Sequence, residues 1–400
     1  MPEERPRLKK PANTAFKQQR LKAWQPILTP KTVLPAYFII GAIFIPIGIA
    51  LYIVSDQVNQ VVFDYTNCDQ GVANGGASQV ALSPPLNTID NPIIAWVYNA
   101  TTNQCTIQFK ISQTFSQPVF MYYRLTNFYQ NHRRYVKSFD SSQLQGSQMT
   151  VSQLSSNCAP LLDASGVWAP GAQYYPCGLI ANSFFSDNIS NLTCVNVTGV
   201  CSNGVVLDST RNVYGFTEQG IAWPSDAQKY GLTAWASATD AVINATLVPP
   251  PMWQLRYPKW ANGYNSTNLP HLGKMERFQV WMRTAGLPTF RKIWGRNISS
   301  DLPPGIWQVT IDMEYNVATF SGTKSIVIST VSVMGGKNPF LGVAYIFVGC
   351  VCWILGIGFL ARHMIKPRKL GDHTYLSWNQ PAKKGQEGVE RAGLMGNQQK

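Results

Sequence analysis

The sequence predicts a membrane protein of the α+β class. It has two transmembrane helices and a large β-rich ectodomain, an antiparallel sandwich with disulfide-closed insertions. Three observations in the 400-residue chain support this prediction. Two 22-residue segments carry no charged side chain, stretches between them alternate apolar and polar residues, and six of the eight cysteines lie between the two segments. Long uncharged segments on either side of alternating, cysteine-containing sequence indicate two membrane spans that flank a folded domain.

The two uncharged segments are residues 33–54 and 340–361. At the helical rise of 1.5 Å per residue, each is about 33 Å long, which is enough to cross a hydrocarbon core of about 30 Å. The first segment is too long for the apolar part of a signal peptide and lacks a small-residue cleavage site. It is therefore expected to be an uncleaved signal anchor.

The net charge of +13 is concentrated at the two ends of the chain. Residues 1–32 carry +6, residues 361–400 carry +5, and the 328 residues between them carry only +2. Basic residues remain on the cytosolic side of a membrane, so both termini are expected in the cytosol. The predicted division is a basic cytosolic tail (1–32), a first span (33–54), an exocytoplasmic domain (55–339), a second span (340–361) and a cytosolic tail (362–400). Only 13% of the residues are charged, which disfavours a nucleic-acid partner.

Each span carries glycines spaced seven residues apart, which places them on one side of a helix. They are Gly41 and Gly48 in the first span, and Gly342, Gly349 and Gly356 in the second. Small residues allow helix backbones to approach closely in lipid, so we expect a packing role. The alternative is that the glycines recur by chance.

Residues 17–29 mix basic and apolar side chains and are either a segment lying on the cytosolic leaflet or a solvated leader.

The cysteines and sequons indicate an exocytoplasmic domain. Six cysteines in such a domain imply disulfides, and of the 15 connectivities we favour neighbour pairing: Cys68 with Cys105, Cys158 with Cys177, and Cys194 with Cys201. Cys350 and Cys352 lie in the second span and are expected to be reduced. Seven N-x-S/T sequons lie in the same domain and none in the predicted tails. These glycosylation candidates are Asn99, Asn188, Asn191, Asn196, Asn244, Asn265 and Asn297.

Strict alternation predicts the strands. Residues 307–317 alternate over eleven positions, and residues 107–111, 118–125, 277–284 and 325–333 are further strand candidates. Gly/Pro/Asn/Ser stretches separate them, which favours an antiparallel sandwich with few, short helices.

The chain contains none of the common sequence motifs for catalysis. The chain lacks the nucleophile-elbow, Walker A, zinc-protease and C-x-x-C patterns. The ectodomain has two histidines, His132 and His271, with no further ligand at metal-binding spacing. Neither span contains an ionisable residue that could carry ions or protons. We therefore expect a non-catalytic protein without a cofactor of its own, apart from N-linked glycans.

Three stretches combine basic and aromatic residues or glycines in unusually specific patterns: FYQNHRRYVKS (128–138), WMRTAGLPTFRKI (281–293) and VSVMGGKNPFLG (331–342). Arginine and aromatic residues are enriched at protein interfaces. The alternative is an arginine network that ties strands together. With PCGLIANS (176–183) and AFKQQRLKAWQPILT (15–29), these stretches resemble the ligand-effect-modulator / cell-division-control-fifty family over about residues 13–378, with fungal-looking insertions.

The resemblance implies a β-subunit and chaperone of a phospholipid flippase, a type IV P-type ATPase. Its expected partner is the catalytic subunit, with which it would form a 1:1 heterodimer. The catalytic subunit would use ATP and Mg²⁺ to move phospholipid to the cytosolic leaflet. The complex would leave the endoplasmic reticulum for the Golgi, endosomes or plasma membrane. The implied disulfides are Cys158–Cys177 and Cys68–Cys105. The interface candidates are Phe128, His132, Arg133, Arg134, Tyr135, Trp281, Arg283, Phe290, Arg291, Lys337, Asn338, Pro339 and Phe340.

The competing prediction is a subunit of a trimeric ligand-gated ion channel, since such channels share two spans, cytosolic ends and a disulfide-rich ectodomain. The spans favour the flippase subunit, because neither has a polar stripe to line a pore.

Overall fold

The computed structural model describes residues 13–21, 29–71, 79–81, 92–164, 166–195 and 213–367. Most of the predicted leaflet segment 17–29, together with Asn196 and Cys201, lies outside the described residues. The chain forms two compact units, one of Met1–Ile53 with Pro339–Lys400 and one of Val54–Asn338.

Two long helices belong largely to the first unit, and both are long and apolar enough to cross a membrane. The remaining helices of the described chain are short, with four to seven residues each. The helices are α1 (Pro30–Asp56), α2 (Arg133–Lys137), α3 (Ser141–Gln145), α4 (Val151–Leu154), α5 (Leu179–Asn182), α6 (Pro224–Ala227), α7 (Asp240–Thr246), α8 (Pro251–Arg256), α9 (Glu276–Met282) and α10 (Phe340–Ile365). The eight short helices are more numerous than the few expected.

The glycine faces of α1 and α10 pack against each other. A Cβ atom on Gly342 would lie 2.7 Å from the backbone nitrogen of Tyr52, and one on Gly48 would lie 2.9 Å from the carbonyl oxygen of Gly342. A Cβ on Gly349 would meet Ile45 at 2.7 Å. Since Cβ atoms do not approach other atoms this closely, glycine is required for the two backbones to lie at this distance.

Two further glycines of this helix pair, Gly41 and Gly356, pack against aromatic rings of the opposite helix. Trp353 occupies the space where a side chain on Gly41 would lie, and Phe38 lies 3.2 Å from where a Cβ on Gly356 would be. The small residues of each helix therefore accommodate large residues of the other. This accounts for the seven-residue glycine spacing.

The strands of the second unit form two main antiparallel sheets and one short parallel pair. The strands are β1 (Gln60–Asp64), β2 (Gln79–Ala81), β3 (Ile93–Asn99), β4 (Gln104–Ile111), β5 (Val119–Leu125), β6 (Gln173–Tyr174), β7 (Asn188–Ile189), β8 (Leu192–Cys194), β9 (Val213–Tyr214), β10 (Leu247–Val248), β11 (Phe290–Asn297), β12 (Gly305–Asp312) and β13 (Lys324–Thr330). One sheet has the order β1-β13-β5-β11 and the other β2-β3-β4-β12-β8-β9, with β7 also paired to β12.

The two sheets pack face to face, which confirms the predicted sandwich. Phe63 of β1 stacks on Phe109 of β4 with ring centroids 4.7 Å apart, and both side chains are buried. Alternate residues of β4 and β5 point into the same core, so the alternation in residues 107–111 and 118–125 did identify strands.

A buried ion pair also joins the two sheets. Lys324 lies at the start of β13, and Asp187 lies just before β7. The ammonium group of Lys324 donates to the carboxylate of Asp187 at 2.8 Å. The hydroxyl of Tyr65 donates to the same carboxylate at 2.9 Å, and the amide of Tyr315 donates at 2.5 Å. Burial, the proximity of Asp187 and the bond to it raise the pKa of Tyr65 well above its ordinary value. A buried charge needs such a set of partners to be tolerated.

Disulfides close two parts of the domain. Cys68 pairs with Cys105, linking the segment after β1 to β4, and Cys158 pairs with Cys177. The second bridge lies in a small separate core with Leu154, Tyr174 and Val248. Cys194 is disulfide-bonded, and its predicted partner Cys201 is outside the described residues. Cys350 and Cys352 are free cysteines.

One strand prediction was wrong, and another extended too far along the chain. Residues 277–284 lie mainly in helix α9, because Phe278, Trp281 and Met282 have the i, i+3, i+4 spacing of a helix face and are all buried. The strand predicted over residues 307–317 ends at Asp312. Beyond that point Tyr315 still points into the core, but its backbone N–H bonds the Asp187 carboxylate instead of a neighbouring strand.

Candidate interaction surface

The stretches 128–138 and 281–293 lie together in the structure. The amide of Phe128 donates to the carbonyl of Pro288 at 3.0 Å. The side chain of Gln130 accepts from the amide of Ala285 at 2.9 Å, and Asn131 donates to the carbonyl of Gly286 at 2.9 Å. The turn between α9 and β11 is thus hydrogen-bonded to the segment that leads into α2.

The aromatic members of these stretches belong to the core. The ring of Phe128 lies 5.8 Å from those of Trp281 and Tyr135 and 6.2 Å from that of Phe290. Trp281 is fully buried, and its indole N–H donates to the carbonyl of Ile180 at 2.8 Å. Burial raises the pKa of Tyr135 to about 12. These four interface candidates support the fold beneath the surface and offer little area to a partner.

Lys292 holds the end of α9 in place. Its ammonium group donates to the carbonyls of Val280 and Trp281 at 2.9 Å each, and to the carbonyl of Arg283. The last carbonyls of a helix have no partner within the helix, so the lysine replaces those missing donors. Burial, with a smaller contribution from the charge of Arg283, lowers the pKa of Lys292 to about 7.

Arg283, Arg291 and Lys292 line a groove of about 520 Å³ beside α9, β5 and β11. On one side, Arg283 lies over the ring of Trp223 at 5.0 Å and donates to Asp226 at 3.2 Å. The indole of Trp223 is 64% exposed, so most of this large apolar surface is available for a contact. An exposed tryptophan stacked under a guanidinium is typical of residues that carry binding energy at interfaces.

A second arginine–aromatic pair also lines the groove. Arg291 stacks over Tyr122 at 5.0 Å and donates to Gln60 at 3.1 Å. Burial raises the pKa of Tyr122, and the positive charge of Arg291 partly opposes this shift. The groove therefore presents two cationic edges over aromatic faces.

A buried amide also lines the groove. Gln279 is 1% exposed, and its Nε2 donates to the carbonyl of Leu272 at 2.9 Å. Its Oε1 has no hydrogen-bond partner among the described residues. The groove thus contains a fixed acceptor as well as the arginine donors.

The third stretch approaches the groove through Gly336. The guanidinium of Arg291 occupies the space where a Cβ on Gly336 would lie. Ser332 and Gly335 form a tight turn whose tip is fully exposed at Val333 and half exposed at Met334. Beyond it, Lys337 lies 3.4 Å from the carboxylate of Asp56.

The remaining candidates are placed as follows. The side chain of Ser55 accepts from the amide of Asn338 at 2.9 Å. His132, Arg133 and Arg134 are exposed on and before α2, outside the groove lining. In the first unit, Pro339 precedes α10, and Phe340 is the first residue of α10.

The sequons differ in exposure. The exposed sequon residues are Asn99, Asn188, Asn191 and Asn244, whereas Asn265 and Asn297 are partly buried.

The sequence did not predict three residues of the groove, Trp223, Asp226 and Tyr122, because only the fold brings them to Arg283 and Arg291. Among the described residues, no group of three or more His, Cys, Asp and Glu could hold a metal ion.

Comparisons with known proteins agree with this architecture. The profile of the LEM3 (ligand-effect modulator 3) family / CDC50 family matches residues 51–369. The chain is 38% identical to the phospholipid-transporting ATPase accessory subunit CRF1 of Saccharomyces cerevisiae, over 92% of this chain and 89% of the relative. It is 35% identical to the accessory subunit CDC50 of Chaetomium thermophilum, over 94% and 93%.

An animal relative matches over a similar range. Cell cycle control protein 50A of Bos taurus is 39% identical, over 88% of each chain. The match to the family profile covers most of the chain, including the whole ectodomain and the second span. This chain is a membrane protein that belongs to the LEM3/CDC50 family.

Proposed function

We propose that this protein is the accessory β-subunit and chaperone of a phospholipid flippase. The observation that carries the proposal is the 38% identity to an accessory subunit of a phospholipid-transporting ATPase across 92% of the chain. The partner is a type IV P-type ATPase in a 1:1 heterodimer. This ATPase supplies ATP hydrolysis and the lipid path, and our chain contributes no catalytic group.

The proposed topology places both termini in the cytosol and the β-sandwich in the lumen or outside the cell. The basic excess of residues 1–32 and 361–400 supports this orientation. The complex is expected to form in the endoplasmic reticulum and to move on to the Golgi, endosomes or plasma membrane. The disulfides and the N-x-S/T sequons of the ectodomain are consistent with that route.

The groove between the Arg283–Trp223 and Arg291–Tyr122 pairs is the proposed docking surface for an exocytoplasmic loop of the ATPase. Two arginines beside exposed aromatic surface favour a loop with an acidic side chain next to an apolar one. Lys292 and the aromatic core around Phe128 keep this surface rigid, which reduces the entropy lost on binding. In the membrane, the exposed apolar surfaces of α1 and α10 are available to the helices of the ATPase.

The channel alternative is disfavoured. A pore needs polar or charged side chains along at least one helix face, and residues 33–54 and 340–361 contain no Asp, Glu, Lys, Arg or His. Two of the named relatives, those from Saccharomyces cerevisiae and Chaetomium thermophilum, are also accessory subunits of phospholipid-transporting ATPases.

Deleting the gene in its own organism tests the proposal. We expect at least one type IV P-type ATPase to remain in the endoplasmic reticulum, and inward transport of a fluorescent phospholipid to fall. Reintroducing the wild-type chain should restore both. Normal localisation and transport in the deletion strain, after ruling out a paralogue by deleting it too, would contradict the proposal.

A further inference from the structure

A second cavity of about 650 Å³ lies in the ectodomain and shares no lining residue with the groove described above. Its lining comes from the ends of β4 and β12, from β7, and from the segments around α8 and α9. Four basic and four acidic side chains line it together with several aromatic rings. A balanced set of donors and acceptors beside apolar surface suits a neutral, hydroxyl-rich ligand better than a polyanion or polycation.

A glycosylation sequon stands at the edge of this cavity. Asn188 is the first residue of β7 and begins the sequon Asn188-Ile189-Ser190, and its side chain is exposed and lines the cavity. Its Nδ2 donates to Asp312 at 3.0 Å, and Gln104 donates to the other oxygen of the same carboxylate at 2.8 Å. These bonds fix the direction of the Asn188 side chain. A retained N–H allows the bond to Asp312 to persist after a sugar is attached to Nδ2.

Two side chains that line the cavity, Ser186 and Arg256, have polar groups with no hydrogen-bond or ion-pair partner among the described residues. Ser186 is 5% exposed, and its hydroxyl has no hydrogen-bond partner among the described residues. Arg256 lies over the ring of Tyr315 at 4.8 Å and has no ion pair in the described part of the chain. An unpartnered buried hydroxyl is unfavourable unless a ligand or water satisfies it.

We infer that Asn188 carries an N-linked glycan and that its first N-acetylglucosamine residues lie in this cavity. Sugar hydroxyls can bond Ser186, Arg256 and the acidic groups, while the acetamide and ring faces contact the aromatic lining around Tyr257. The glycan thereby fills a polar cavity that the protein leaves open. The inference requires Asn188 to be luminal, as in the proposed topology, but it does not require the ATPase to be bound.

Native deglycosylation tests the inference. The full-length protein is purified from a eukaryotic host, and peptide N-glycosidase F is added to the folded protein in mild detergent. Mass spectrometry in ¹⁸O-water then follows Asn-to-Asp conversion at each site. We expect release at Asn188 to be at least about tenfold slower than at Asn99, which is exposed at the end of β3, because the enzyme must wait for local opening. After denaturation the two rates should be equal.

Matched variants sharpen the result. Arg256→Gln should speed release at Asn188 and leave Asn99 unchanged. Ser190→Thr retains the sequon and should retain the protected glycan, whereas Ser190→Ala should remove it. An unoccupied Asn188, or native release there as fast as at Asn99, would overturn the inference. Neither outcome bears on whether the ATPase co-purifies, so failure of this inference is distinguishable from failure of the proposed function.

Discussion

Lys292→Met tests whether one buried ammonium group stabilises the wall of the groove. Lys292 is 7% exposed and donates to three carbonyls at the end of α9. Methionine has a similar length and fills the same space, so the substitution removes the hydrogen bonds with little change in packing. The carbonyls of Val280, Trp281 and Arg283 would each lose this donor.

The expected cost follows from these three bonds. Hydrogen bonds to charged groups contribute about 1.5–3 kcal/mol each, but removing the buried charge recovers part of that, so we expect a net loss of about 3 kcal/mol. For a domain of this size the midpoint of thermal unfolding should fall by about 6 °C. Tryptophan fluorescence of the full-length protein in detergent measures it. Lys137→Met, at an exposed lysine, is the control and should change the midpoint by less than about 1 °C. A Lys292→Met midpoint equal to that of the control would refute the capping role.

The same lysine predicts a pH dependence. Below about pH 7 it is protonated in both the folded and the unfolded chain. Since burial lowers its folded pKa to about 7, at higher pH the folded state loses a proton that the unfolded state keeps. The folded state is then favoured as pH rises, by at most about 1.4 kcal/mol per pH unit between pH 7 and 10. The stability difference between wild type and Lys292→Met should therefore grow with pH over this range. A constant difference would contradict the depressed pKa.

Three further substitutions test the packing and the surface. Gly342→Leu places a side chain against the backbone of α1 and should lower the yield of monodisperse protein in size-exclusion chromatography, whereas Gly358→Leu, with open space around it, should not. Asp187→Asn leaves a buried lysine without its counter-charge and should cost about 3–5 kcal/mol; Asp56→Asn breaks an exposed pair and should cost under about 1 kcal/mol in the same unfolding assay. Arg283→Ala should reduce ATPase recovery severalfold while the unfolding midpoint changes by less than about 2 °C, and unchanged recovery would exclude this arginine from the interface.

Much of the fold was predictable because its signals are local. The spans follow from 22 uncharged residues, and β4, β5 and β13 follow from alternation or from apolar β-branched composition. The prediction of a strand over residues 277–284 was wrong. A short run with three large apolar residues fits both the two-residue period of a strand and the 3.6-residue period of a helix until burial is known.

The surface was only partly predictable, because it is built from long-range contacts. Arg283 meets Asp226 across 57 residues, and Arg291 meets Gln60 across 231. Sequence alone also could not separate Phe128 and Trp281, which are core, from Arg283 and Arg291, which are exposed. Both sets satisfy the same compositional rule for interfaces.

Affinity purification of the full-length chain from its own organism in mild detergent tests the central claim most directly. The mass of the purified complex and the identity of its subunits are measured together. The account predicts one copy of this chain with one copy of a type IV P-type ATPase. A homotrimer of this chain, without an ATPase, would contradict it.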